Sequence, residues 1–147
     1  MFQDTPITTV AHVIQLSVAP VFLITGIGAM LTVLTNRLGR IVDRARVVEN
    51  SSPNTAPTGM TPEEELRRLS LRAKLISTAI SLCTFTALLV SAIIATLFLG
   101  AFFSFGVSLI VALFFVAAML AFIAALLLFL REVFIAIEGL KFGRVTQ

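Results

Sequence analysis

Three arginines, Arg37, Arg40 and Arg44, fall three and four residues apart within the stretch TVLTNRLGRIVDRARVVEN, residues 32–50. On a helix that spacing puts them on one face. Such a row attracts anionic lipid when it sits at the inner surface of a membrane. In a ring of subunits the same side chains would form stacked positive rings, favouring anions or repelling cations in any conduit. Asp43 lies three residues from both Arg40 and Arg46, close enough on a helix for local ion pairs to absorb part of the charge.

A second pattern runs through Ser77, Ser81, Thr84, Ala87, Ser91 and Ala95, again at steps of three and four. Small residues let membrane helices approach closely, and their hydroxyls can bond across the contact. Facing water, the same seam would line a narrow pore. Leu88 borders it, which suits packing better than an aqueous wall. His12 and Gln15 share a helix face and read as an interfacial hydrogen-bonding anchor. The only cysteine is Cys83, so neither an intrachain disulfide nor a multi-cysteine metal site is expected. No catalytic triad, Walker loop or dinucleotide fingerprint is present. An enzyme is not expected, nor a cofactor, nor nucleic acid as a partner.

These side chains need elements to hold them. Apolar residues make up 58% of the chain and charged residues 13%, against roughly 45–50% and about 25% in globular proteins. Three stretches, residues 10–35, 75–99 and 105–130, reach the length of about 20 residues that a hydrocarbon core demands. None carries Asp, Glu, Lys or Arg, whereas ion-coupled transport usually needs an ionisable group at mid-membrane. Residues 1–9 contain no Lys or Arg, so the first stretch is expected to be a retained span, not a cleaved signal. Pro20 lies in its outer half, where the lost N–H and the crowding of the Leu16 carbonyl predict a kink. In the third span Ala117, Ala121 and Ala125, four apart, suggest a small-residue packing face.

The basic residues are placed one-sidedly. Eight lie between the first two spans and three follow the third, with none before the first span or in the turn around 100–107. The excess of Lys and Arg on cytoplasmic loops then puts the N-terminus outside and the C-terminus in the cytoplasm. Phe102, Phe103 and Phe105 would anchor the outer turn.

The apolar pattern also continues past the membrane. Leu34, Leu38, Ile41, Ala45 and Val48 keep helical spacing beyond the first span, and Leu66, Leu69, Ala73 and Ile76 lead into the second. Thr61, Pro62 and Glu64 form the sequence of a capping box. Residues 50–62, rich in proline and small polar side chains, read as a flexible tip. The expected fold is therefore an all-α integral membrane protein forming a single domain over residues 1–147. It has three transmembrane helices, the first and second extended into a cytoplasmic antiparallel helical hairpin over residues 36–74. A tail over 131–147 carries Arg131 and Glu138, about two turns apart. The alternative for the arms is a pair of amphipathic helices lying on the inner leaflet.

The run over residues 7–49, above all VAPVFLITGIGAMLTVLTNRLGRIVDRAR, resembles the bacterial membrane family filed as domain of unknown function 2721. That resemblance implies a small multi-span protein of the bacterial inner membrane and carries no catalytic residues with it.

Two functions stay open at this point. One is a self-associating protein enclosing a passive pore, with the hydroxyl seam along the membrane and arginine rings at its mouth. The other is a non-conducting scaffold or accessory subunit whose basic hairpin docks a partner protein. In both, the kinked and polar first span needs more neighbours than one copy supplies, so a homo-oligomer in contact with anionic inner-leaflet lipids is expected.

Overall fold

A computed structural model of the chain describes residues 6–50, 61–103 and 108–142. They form three α-helices: α1 Pro6–Glu49, α2 Pro62–Phe103 and α3 Ser108–Phe142. No strand occurs among the described residues. Each helix carries a window long and apolar enough to cross a bilayer, with mean hydropathy 2.0, 2.4 and 3.0 in chain order. The protein is a multi-pass membrane protein.

The helices are longer than a membrane requires. The 44 residues of α1 extend roughly 66 Å at about 1.5 Å per residue, against a hydrocarbon core of about 30 Å. The 42 of α2 and 35 of α3 also overrun it. Helix α1 is continuous through Pro20 and does not stop at its first arginine. It closes past Arg46, whose carbonyl accepts the Asn50 N–H at 3.1 Å. Helix α2 opens on its cap: the Glu64 N–H donates to the Thr61 carbonyl at 3.0 Å and reaches the Thr61 hydroxyl at 3.4 Å. Pro62 occupies the first helical position and Glu63, Glu64 and Glu65 fill the first turn, where negative charge meets the positive end of the helix dipole. The tip at 51–60 and Phe105 lie outside the described residues, as do the side chains of Phe102, Phe103 and Glu138.

Packing divides the chain into two compact units. One comprises Met1–Met30 and Leu82–Ile123; the other comprises Leu31–Ser81 and Ala124–Gln147. The first unit buries Ile27, Cys83, Val90, Ile93 and Ala118, with Ser17 and Thr86 as its buried polar residues. Thr86 donates its hydroxyl to the Leu82 carbonyl of its own helix at 2.8 Å and lies 3.5 Å from the Ala118 carbonyl on α3. The second unit buries Leu34, Ile41 and Val48 from α1, Leu69, Ile76 and Ala79 from α2, and Ala125 and Glu132 from α3. This unit is therefore built from three helices, not from two arms alone.

Buried positions recur at seven-residue intervals along every helix. They are 27, 34, 41 and 48 on α1, 69, 76, 83 and 90 on α2, and 118, 125 and 132 on α3. Seven is the repeat of a helical seam packed knobs into holes. On α3 the buried alanines are Ala118 and Ala125; of the Ala117–Ala121–Ala125 row, Ala125 is buried, Ala121 half-buried and Ala117 exposed.

Candidate functional site

The second unit contains a charge where its seam pattern calls for an apolar residue. Glu132 follows Ala118 and Ala125 at the next seven-residue step on α3, and its side chain is 0% exposed. A buried carboxylate is costly unless its oxygens are bonded to opposite charge. Both are. Arg72 of α2 donates to Oε1 from Nε at 3.1 Å and from Nη2 at 2.8 Å. Arg37 of α1 donates to Oε2 from Nη1. One carboxylate thus joins side chains from all three helices of the unit. No buried side-chain polar atom lacks a partner among the described residues.

The arginines are only partly withdrawn from water, with side chains 36% and 27% exposed for Arg37 and Arg72. Arg37 also stacks over Phe129, one turn before Glu132, with its Cζ 5.2 Å from the ring centroid; this cation–π contact adds to its fixation. A second pair, Arg44 to Glu65, ties α1 to α2 at 2.8 Å. It is more open, with side chains 45% and 20% exposed.

A cleft of about 440 Å³ opens beside these groups, lined by Val33, Asn36, Arg37, Arg40, Ile41, Arg44, Leu69 and Arg72. All three arginines singled out by spacing therefore line one cleft, joined by Arg72 from the neighbouring helix. Their environments differ. Arg37 and Arg44 are bonded to carboxylates of other helices, whereas Arg40 forms no ion pair among the described residues. Asp43 pairs with neither Arg40 nor Arg46 among the described residues, so the local charge pairing expected along α1 is replaced by pairing between helices.

The hydroxyl seam of α2 does not enter the interior of this chain. Ser77, Ser81, Thr84, Ser91 and Ala95 are exposed, and Ala87 is half-buried. The Ser81 and Ser91 hydroxyls donate to the Ser77 and Ala87 carbonyls of their own helix at 3.1 and 2.8 Å. The buried face of α2, through Leu69, Ile76, Cys83 and Val90, lies about a third of a turn away. His12 and Gln15 are exposed.

Glu132 is the residue that spacing of like types missed, because it stands alone after Arg131 and belongs to no cluster in the sequence. The signal that finds it is positional: an acidic residue at a step where α3 otherwise places a buried alanine. Arg72 carries the same signal, seven residues before Ala79.

No curated protein and no solved structure matches the chain. One family does, over residues 17–142, a range that takes in Arg37, Arg72 and Glu132 with most of α1 and the whole of α2 and α3. The chain belongs to the family described as protein of unknown function (DUF2721).

Proposed function

We propose that this protein is a non-conducting, non-catalytic scaffold or accessory subunit whose basic helical unit holds an anionic partner at the inner face of the bacterial plasma membrane. The observation that carries this reading is the cleft: four guanidinium groups line it, and among the described residues two carboxylates are bonded to them. The asymmetry of Lys and Arg supports an outside N-terminus and a cytoplasmic C-terminus. The Arg44–Glu65 pair and the buried Leu34, Ile41, Leu69 and Ile76 support α1 and α2 standing together as a hairpin, not as separate helices spread on the leaflet.

The pore reading loses two of its supports. Arg37 and Arg44 are engaged by Glu132 and Glu65 within one chain, so they are not free to form unpaired rings. The Ser81 and Ser91 hydroxyls bond to carbonyls of their own helix, so they need no water lumen. Self-association keeps its motive. Only 17%, 22% and 11% of the three apolar windows are buried, and a Cβ built at Gly26 or Gly28 would meet no atom within 4 Å. That open face, with the small-residue seam of α2, suits close approach of a second copy.

Reconstitution into liposomes separates the readings. The scaffold reading expects no ion flux above protein-free vesicles, and unchanged flux in Arg40→Glu and in Ser81→Leu/Thr84→Leu. Flux that responds to both changes would overturn it in favour of the pore. For self-association, Gly28→Leu is expected to leave the single chain folded while lowering the oligomer fraction in native mass spectrometry.

A further inference from the structure

The arginine cleft has a charge, a size and a position that together specify what it takes. Arg37, Arg40, Arg44 and Arg72 bring four positive charges to its lining, and the carboxylates bonded to them, Glu132 and Glu65, bring two negative ones. Among the described residues, two positive charges are left unbalanced. Asp43 is exposed and does not line the cleft. Resting on the docking reading above, we infer that the cleft is a binding site for a phosphate monoester, with Arg40 as its principal ligand and the outer edges of Arg37 and Arg72 completing it.

Three arguments carry the assignment. A phosphate monoester has a charge of about −1.5 to −2 at neutral pH and three acceptor oxygens, which matches the unbalanced charge where a single carboxylate would leave half of it. Each guanidinium offers five N–H donors, and Glu132 takes only part of the set from Arg37 and Arg72. Both arginines are held by that carboxylate, line the cleft and stay part-exposed, so a ligand meets a pre-ordered site and forfeits less side-chain entropy on binding. The cleft lies within the roughly 300–1,000 Å³ typical of small-ligand sites. Its remaining lining is Asn36 with Val33, Ile41 and Leu69, and the three apolar groups suit the carbon part of an ester.

The cleft begins at Val33 and Asn36, where the apolar run of α1 gives way to its first arginine. A lipid headgroup and a soluble phosphate can both present this chemistry there. The test uses the full chain in phosphatidylcholine nanodiscs. Inorganic phosphate is titrated by calorimetry, and short-chain phosphatidic acid is followed by native mass spectrometry. Polyglutamate serves as the carboxylate probe. Arg40→Gln is the informative variant, since Arg40 has no ion pair among the described residues to lose; Arg68→Gln removes an equal charge from an exposed position off the cleft lining.

The expected result is that Arg40→Gln weakens phosphate-group binding about tenfold, the size of one charge-assisted pair, while Arg68→Gln changes it less than about twofold. Arg40→Lys should fall between wild type and Arg40→Gln, because it keeps the charge and loses the planar fork. Binding of inorganic phosphate alone would identify a soluble source, and retention of phosphatidic acid alone a lipid one; either supports the site. Equal losses in Arg40→Gln and Arg68→Gln would overturn it, leaving diffuse attraction only. Binding of polyglutamate without either phosphate probe would also overturn it, yet leave the docking reading standing with an acidic protein partner. Failure of all three probes would remove both.

Discussion

The two packing units of this chain solve the same problem, holding three helices together, with opposite chemistry. The unit comprising Met1–Met30 and Leu82–Ile123 contains a single charged residue, Asp4; the other eighteen of the protein's nineteen charges fall in the unit comprising Leu31–Ser81 and Ala124–Gln147. The first is joined by small and apolar contacts, including Ala118 and the Thr86 hydroxyl. Hydrocarbon provides no hydrophobic drive for helices to associate, so close packing and weak hydrogen bonds are what remain. The second buries Leu34, Ile41, Leu69 and Ile76 and adds ion pairs between helices. The lesson is that the charged unit has a fixed arrangement with one strong constraint, the Glu132 carboxylate, whereas the apolar unit has many weak and interchangeable ones.

That contrast predicts a graded series, read as loss of thermal or denaturant stability of the purified chain. The largest effect is expected for Arg37→Ala combined with Arg72→Ala, which leaves Glu132 buried with no partner; about 4 kcal/mol is the scale for an uncompensated buried charge. Glu132→Ala should cost about 3 kcal/mol, somewhat less because the stranded arginines can turn to water. Arg72→Ala alone should fall near 2 kcal/mol, since Glu132 keeps Arg37. Glu65→Ala removes only the open pair to Arg44 and should cost less than about 1 kcal/mol, with a smaller loss at high salt. Thr86→Val, in the apolar unit, should be least, near 0.6 kcal/mol for one interhelical hydroxyl contact. A Thr86→Val effect as large as that of Glu132→Ala would erase the distinction between the units.

Much of this was legible in advance. Helix type and the three apolar runs follow from composition and length, and Thr61-Pro62-Glu63-Glu64 marks the start of α2 because its capping chemistry is local. The arginine row on α1 was legible for the same reason: spacing along one helix determines a shared face. What could not be read directly was which face meets another helix. Two periodic patterns compete on α2, one of Ser77, Ser81, Thr84 and Ser91 and one of Leu69, Ile76, Cys83 and Val90. Both fit helical spacing, and the structure buries the second. Glu132 was obscured by its isolation, since a single acidic residue beyond an apolar span looks like the beginning of a solvated tail. Its partners come from residues 95 and 60 positions away in sequence, and such long-range pairing has no signature in local periodicity.

The network centred on Glu132 also gives the docking account its physical basis, because the same carboxylate that joins the helices orients two of the arginines at the cleft. A double-mutant cycle between Glu132 and Arg72, using Glu132→Gln, Arg72→Gln and the pair, tests that claim most directly. The account predicts a coupling of about 1.5 kcal/mol or more, as for charged partners in direct contact. Additive effects, with a coupling below about 0.3 kcal/mol, would contradict it and show that Glu132 does not hold Arg72 in the folded protein.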